Sequence, residues 1–170
     1  MQKTILFMMI SMILILSACS KSEEQSPSAL VLSEINGNVL WERISTEAEY
    51  TTYAFWPGHE DIQPGQSPHG AYHKIYINRA LFQALPANDR ILPVGSIIVK
   101  ENLDSQKTLD SITVMVKVQD YNPEAGDWFW AKYTPKGKVI AEGTPAGCIG
   151  CHEGMSDNDY IIVRPLDLEI

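Results

Sequence analysis

Cys148-Ile149-Gly150-Cys151-His152 sets two thiols three positions apart, with a histidine directly after the second. Thiols at this spacing can add to the two vinyl groups of one porphyrin, and the adjoining imidazole can then ligate its iron. The five residues therefore specify one c-type haem per chain, with Cys148 and Cys151 as attachment points and His152 as the proximal metal ligand. Other chemistries are served less well. A zinc site needs a fourth ligand, and the remaining donors His59, His69, His73 and Cys19 are scattered along the chain. A redox-active Cys-X-X-Cys ordinarily opens a helix after a strand, whereas Ala141 to Gly147 reads as a Gly/Pro loop. A structural disulfide leaves His152 unexplained.

Haem of this kind is attached outside the cytoplasm, so the N-terminus must carry an export signal. Lys3 supplies a basic start and Ile5 to Leu16 an apolar run too short to span a bilayer comfortably. The run ends in Leu16-Ser17-Ala18-Cys19, which resembles the lipobox of bacterial lipoproteins. The expected organisation is a signal peptide at 1–18, then a lipidated Cys19 and a polar tether to residue 29, and one folded domain at 30–170. Lipidation also accounts for the odd third cysteine. Ser20 after the cysteine fits sorting to the outer membrane, on the periplasmic face of the cell envelope. With 13 basic against 21 acidic side chains and no Lys/Arg cluster, nucleic acid is not an expected partner. A small neutral ligand or a basic redox partner suits this charge better.

The elements that must position the motif are mostly strands. Tyr72 to Ile77 alternates, with His73, Ile75 and Ile77 on one face. Ser96 to Glu101 is a second run, placing Lys100 with Ser96 and Ile98 and turning Ile97, Val99 and Glu101 the other way. Ile112 to Val118 is the clearest strand, and Asp127 to Tyr133 is a fourth after the turn-rich Tyr121 to Gly126. Helices are expected over Ser45 to Phe55, stopping before Pro57-Gly58, and from Asn78 as N-cap through Leu85. A short helical turn should carry Cys148 to His152. The fold class is α+β: a curved antiparallel sheet with a few short helices, and a haem held near the C-terminus against one face.

Trp56-Pro57-Gly58, Pro68-His69-Gly70, Tyr76-Ile77-Asn78, Gly95 to Glu101, Gly126 to Trp130 and Cys148 to His152 occur in the order found in the cytochrome P-460 family, which this chain resembles over nearly all of its folded part. The resemblance implies a small, mostly antiparallel β domain, a homodimer, and one five-coordinate c-type haem. It also implies oxidation of hydroxylamine, with electrons passing to a soluble cytochrome, and a haem bonded to a lysine that falls on Lys100. The related cytochrome c-prime-beta group shares the fold, lacks that bond and binds nitric oxide.

A long stem ending in a nucleophilic amine suits Lys100 to reach a porphyrin edge, although a solvated lysine paired with Glu101 or another carboxylate would read the same in sequence. His69 and His73 are within reach of the distal side, although turn or surface placement is commoner. Met155 is too close to His152 to circle to the opposite face, and Met115 is a poor axial candidate. Hydroxylamine oxidation needs a proton acceptor, for which Glu101, Asp127 and Glu142 are candidates by position, with Glu142 chosen as the distal base. Phe55, Trp56, Phe129 and Trp130 are expected to build the apolar cavity. Three activities stay open: a hydroxylamine oxidoreductase, a nitric oxide binding or sensing protein, and a plain electron-transfer cytochrome.

Overall fold

In the computed structural model, which describes residues 35–168, the alternating runs become one sheet. The signal peptide, Cys19 and the tether lie outside the described residues. The strands are β1 (Ala54–Phe55), β2 (Gln63–Pro64), β3 (Tyr72–Ile77), β4 (Ile97–Leu103), β5 (Leu109–Lys117), β6 (Trp128–Tyr133) and β7 (Val139–Gly143). All pairings are antiparallel. From β3 to β7 each strand pairs with the next in sequence, while β1 and β2 both pair with the other edge of β3. Such a meander needs only short connections, so local alternation translates directly into sheet order.

Register then decides what faces what. Ile98 lies opposite Met115, and Met115 opposite Trp130; on the reverse face Val99 lies opposite Val114, and Val114 opposite Ala131. One face buries Ile75, Ile77, Ile98, Met115, Trp128 and Trp130 beneath Trp56 and the C-terminal Tyr160, Ile161 and Leu166. The other buries Val99, Ile112, Val114, Val116, Phe129 and Tyr133 beneath Leu40 and Ile44. Fully burying an aliphatic or aromatic side chain of this size is worth about 1.5–3 kcal/mol, so each face holds its own cover. The result is the expected α+β arrangement, a mostly antiparallel sheet with a few short helices.

The helices match the expectation in part. Helix α2 (Arg79–Ala84) opens as predicted, with the Asn78 side chain accepting a hydrogen bond from the Leu81 N–H. The helix expected over Ser45 to Phe55 lies earlier. Asn36 caps α1 (Gly37–Glu42), which continues as a π-helical turn over Arg43–Glu47. Leu40 and Ile44, four residues apart and fully buried, set its apolar stripe. Ala54 and Phe55 instead join the sheet as β1, because pairing with Ile77 and Tyr76 outweighs a weak helical preference. Part of the segment read as a Gly/Pro loop is β7, whose short apolar run at the sheet edge carries little periodic signal. Among the described residues no helix is long and apolar enough to cross a membrane.

The β6–β7 turn is where α1 meets the sheet. Gly137 there has φ +81°, and a Cβ on it would lie 2.1 Å from the Trp41 ring, which itself packs 5.0 Å from Tyr133. Left-handed backbone and contact with a fixed indole both demand glycine. Gly137→Ala is expected to destabilise the fold by at least about 1 kcal/mol, read as a lower urea midpoint with an unchanged slope.

Candidate functional site

Helix α3 (Ala146–His152) follows β7 directly, with Pro145 at its N-cap position, and carries all three residues of the Cys-X-X-Cys-His motif. Positions three apart on a helix share one side, so the two thiols stand one turn from each other. Both are free; Cys148 is half-buried against the core and Cys151 is exposed. Burial pushes the Cys148 thiol pKa up, partly countered by the Lys132 ammonium.

His152 is held by a single geometric fact. Its Nδ1 lies 2.7 Å from the Tyr160 carbonyl oxygen. A carbonyl can only accept, so Nδ1 carries the hydrogen and Nε2 keeps its lone pair for a metal. The ring sits edge-on to Trp130, with centroids 4.9 Å apart, and lies 6.3 Å from His69.

Lys100, on β4, pairs in register with Ile75 and Thr113 and shares the face of Ile98. Burial lowers its pKa to about 8, and among the described residues it has no ion-pair partner. All four histidines of the chain feel its charge. His73 is 8% exposed, and neither of its ring nitrogens has a hydrogen-bond partner among the described residues. Burial first, then the Lys100 charge, pulls its pKa down to about 4. His59 stacks on it at 6.4 Å, and its own Nδ1 has no hydrogen-bond partner among the described residues. His69 is also lowered to about 4 by burial and by Lys100. Its Nδ1 lies 3.1 Å from Asn102 Oδ1, in a loop that can approach β4 only because Gly70, at φ +80°, has no Cβ to strike the Leu103 carbonyl.

Two free thiols on one helical turn, an imidazole with Nε2 available, and an apolar sheet face bearing unpartnered nitrogens on His73 and Trp130 fit a covalently attached haem. The cytochrome P460 family model matches residues 41–163. The chain belongs to the cytochrome P460 family. That membership makes it a cytochrome with covalently bound haem. No curated protein matches the chain. Within this P460 domain, Cys148 and Cys151 would carry the porphyrin and His152 Nε2 would take its iron.

The carboxylates chosen from sequence lie elsewhere, and the assignment of Glu142 as distal base is corrected. Glu142 lies opposite Ala131 on the reverse face, where its carboxylate accepts the Gly37 N–H at the start of α1. Glu101 also points to that side, accepting from the Tyr50 hydroxyl at 2.9 Å and lying 3.9 Å from Lys74 Nζ. Asp127 closes the turn before β6 by accepting from the Asn122 N–H. Strand parity had already turned Glu101 away from Lys100, whereas the β6–β7 pairing that turns Glu142 away is not written in local alternation. Of the predicted cavity aromatics, Trp56 and Trp130 are on the Lys100 side, while Phe55 and Phe129 pack on the reverse. Met115 is buried in the core on the site side.

Sequence pattern presents His69 and His73 singly and carries no sign that four imidazoles converge on one partly buried amine. Their loops meet only through the β2–β3 and β3–β4 pairings. His73 has a measurable consequence for the haem-free chain. Its pKa is depressed to about 4 when folded against an ordinary 6.5, so between those values the unfolded chain binds the extra proton. Stability is therefore lost as pH falls through that window. Urea midpoints of a Cys148→Ala/Cys151→Ala protein should drop from pH 7 to pH 5, and His73→Gln should flatten the dependence.

Proposed function

We propose that this cytochrome is a hydroxylamine oxidoreductase, converting hydroxylamine to nitrous or nitric oxide at an open haem c site. The observation that carries the reading is Lys100, a partly buried amine with pKa lowered to about 8 and no carboxylate partner among the described residues, on the sheet face against which the Cys-X-X-Cys-His helix packs. Near neutral pH a useful fraction of such an amine is unprotonated and nucleophilic, as a bond to the porphyrin edge requires. Bound there, the haem would supply an iron that takes hydroxylamine and accepts its electrons. The chain would do the rest. Cys148 and Cys151 hold the macrocycle, His152 donates Nε2 from a ring fixed by Tyr160, and Ile75, Ile98 and Met115 exclude water. The oxidation also releases protons, and with Glu101 and Glu142 turned away the acceptor on this face is His73, neither of whose nitrogens has a hydrogen-bond partner among the described residues. Electrons would leave to a soluble cytochrome.

A second reading is favoured by the same displacement of carboxylates. An apolar face with neutral imidazoles and no committed acid suits capture of nitric oxide without turnover. The two readings part at Lys100. Mass analysis of haem peptides from matured protein is expected to find the Lys100 peptide attached to haem. A haem-free Lys100 peptide would leave the nitric oxide reading. As to place, the motif at Cys19 supports a lipid anchor on the periplasmic face of the outer membrane. Cys19→Ser should move the protein from the membrane to the soluble fraction of lysed cells, and continued membrane attachment would refute lipidation.

A further inference from the structure

Lys117 and Asp159 form an ion pair inside the domain, 7% and 6% exposed respectively, with Nζ 2.5 Å from Oδ1. Burying two charges is a poor way to stabilise a fold, since desolvation offsets most of their attraction, so its location calls for a reason. Asp159 stands next to Tyr160, whose carbonyl orients His152. Both residues have left-handed backbone, φ +53° and φ +65°, a conformation disfavoured for residues with a Cβ and maintained only when the surroundings impose it.

Here the surroundings impose it through Asp159. Oδ1 takes the Lys117 ammonium from β5, Oδ2 accepts the Leu92 N–H at 2.8 Å, and the Asp159 carbonyl accepts the Trp128 indole N–H from β6 at 2.9 Å. Three separate segments thus clamp one residue. Its neighbour Tyr160, also tied by its N–H to the Met155 carbonyl and by its hydroxyl to the Glu124 carbonyl, presents its own carbonyl 2.7 Å from His152 Nδ1. A short, well-aimed acceptor on Nδ1 raises electron density at Nε2, strengthening its bond to a metal and favouring the higher oxidation state.

We propose that Asp159, held by Lys117, is a positioning residue that sets the donor strength of His152 toward the haem iron. This rests on the reading of His152 as the axial ligand. The sheet, through Lys117 on β5, thereby tunes a ligand that sits on a different element.

The test uses the matured haem protein. Asp159→Asn and Lys117→Met are compared with wild type by the iron–histidine stretching band of the ferrous form in resonance Raman and by reduction potential. Both substitutions should lower the band and raise the potential, and Lys117→Arg, which keeps the charge, should restore both toward wild type. Arg90→Gln serves as the control, since it removes solvent-accessible ion pairs to Asp167 and Asp157 and leaves the Lys117–Asp159 pair in place, and it should move neither signal. If melting temperature falls while band and potential stay at wild-type values, the pair is merely structural and the proposal is overturned. Should Asp159→Asn fail to accumulate, Lys117→Met decides alone, because it keeps the Leu92 and Trp128 hydrogen bonds. A wild-type protein that carries c-type haem but shows no iron–histidine band would overturn the reading of His152, and the proposal with it, before any variant is compared.

Discussion

Antiparallel register from β3 through β6 is the constraint on which the molecule depends. Because side chains alternate with a period of two, one pairing assigns every residue of four strands to one of two faces, and a slip of one position would exchange them. The observed register collects Ile75, Ile98, Lys100, Met115 and Trp130 on one side, and Val99, Glu101, Val114 and Ala131 on the other. Each face then needs a cover. The N-terminal helical segment supplies one through Leu40 and Ile44, and the chain after β7 supplies the other through α3 and residues 160–166.

This division explains the electrostatics of the site. The carboxylates on β4 and β7 are committed to the reverse face, where Tyr50, Lys74 and the start of α1 use them. Lys100 is left on the site face with imidazoles rather than acids for neighbours, so burial acts on it without a compensating negative charge. Its lowered pKa and those of His69 and His73 are expressions of the same arrangement, an apolar surface in which desolvation disfavours the charged form of all three and the Lys100 charge further disfavours that of the two imidazoles.

Most strands could be read before the fold was seen. Tyr72 to Ile77 carries its alternation plainly, and β4, β5 and β6 fall within a few residues of where pattern places them. Asn78 announces α2 by residue type alone. The helix expected around residue 50 and the unread β7 fail for a common reason: β1 and β7 are short edge strands whose conformation follows from pairing, with β3 and with the neighbouring β6 respectively, rather than from their own periodicity. Glu142 illustrates the cost, since a residue on an unrecognised strand has no face to be assigned to. Asp159 and Tyr160 gave no signal, because no local rule predicts left-handed backbone at two consecutive residues other than glycine.

What the sequence determined by itself is local in origin. The spacing of Cys148, Cys151 and His152, the parity that sets Lys100 beside Ile98 and against Glu101, and the cap at Asn78 all follow from covalent distance and strand or helix period. Tertiary structure decided which of these groups meet. Strand pairing brings His59, His69 and His73 to Lys100, and the tertiary contacts of Asp159 with β5, β6 and the Leu92 loop, together with those of Tyr160 to Met155 and Glu124, surround the carbonyl that meets His152. Most of those contacts join residues far apart in the chain, and their geometry exists only once burial of both sheet faces has fixed the register.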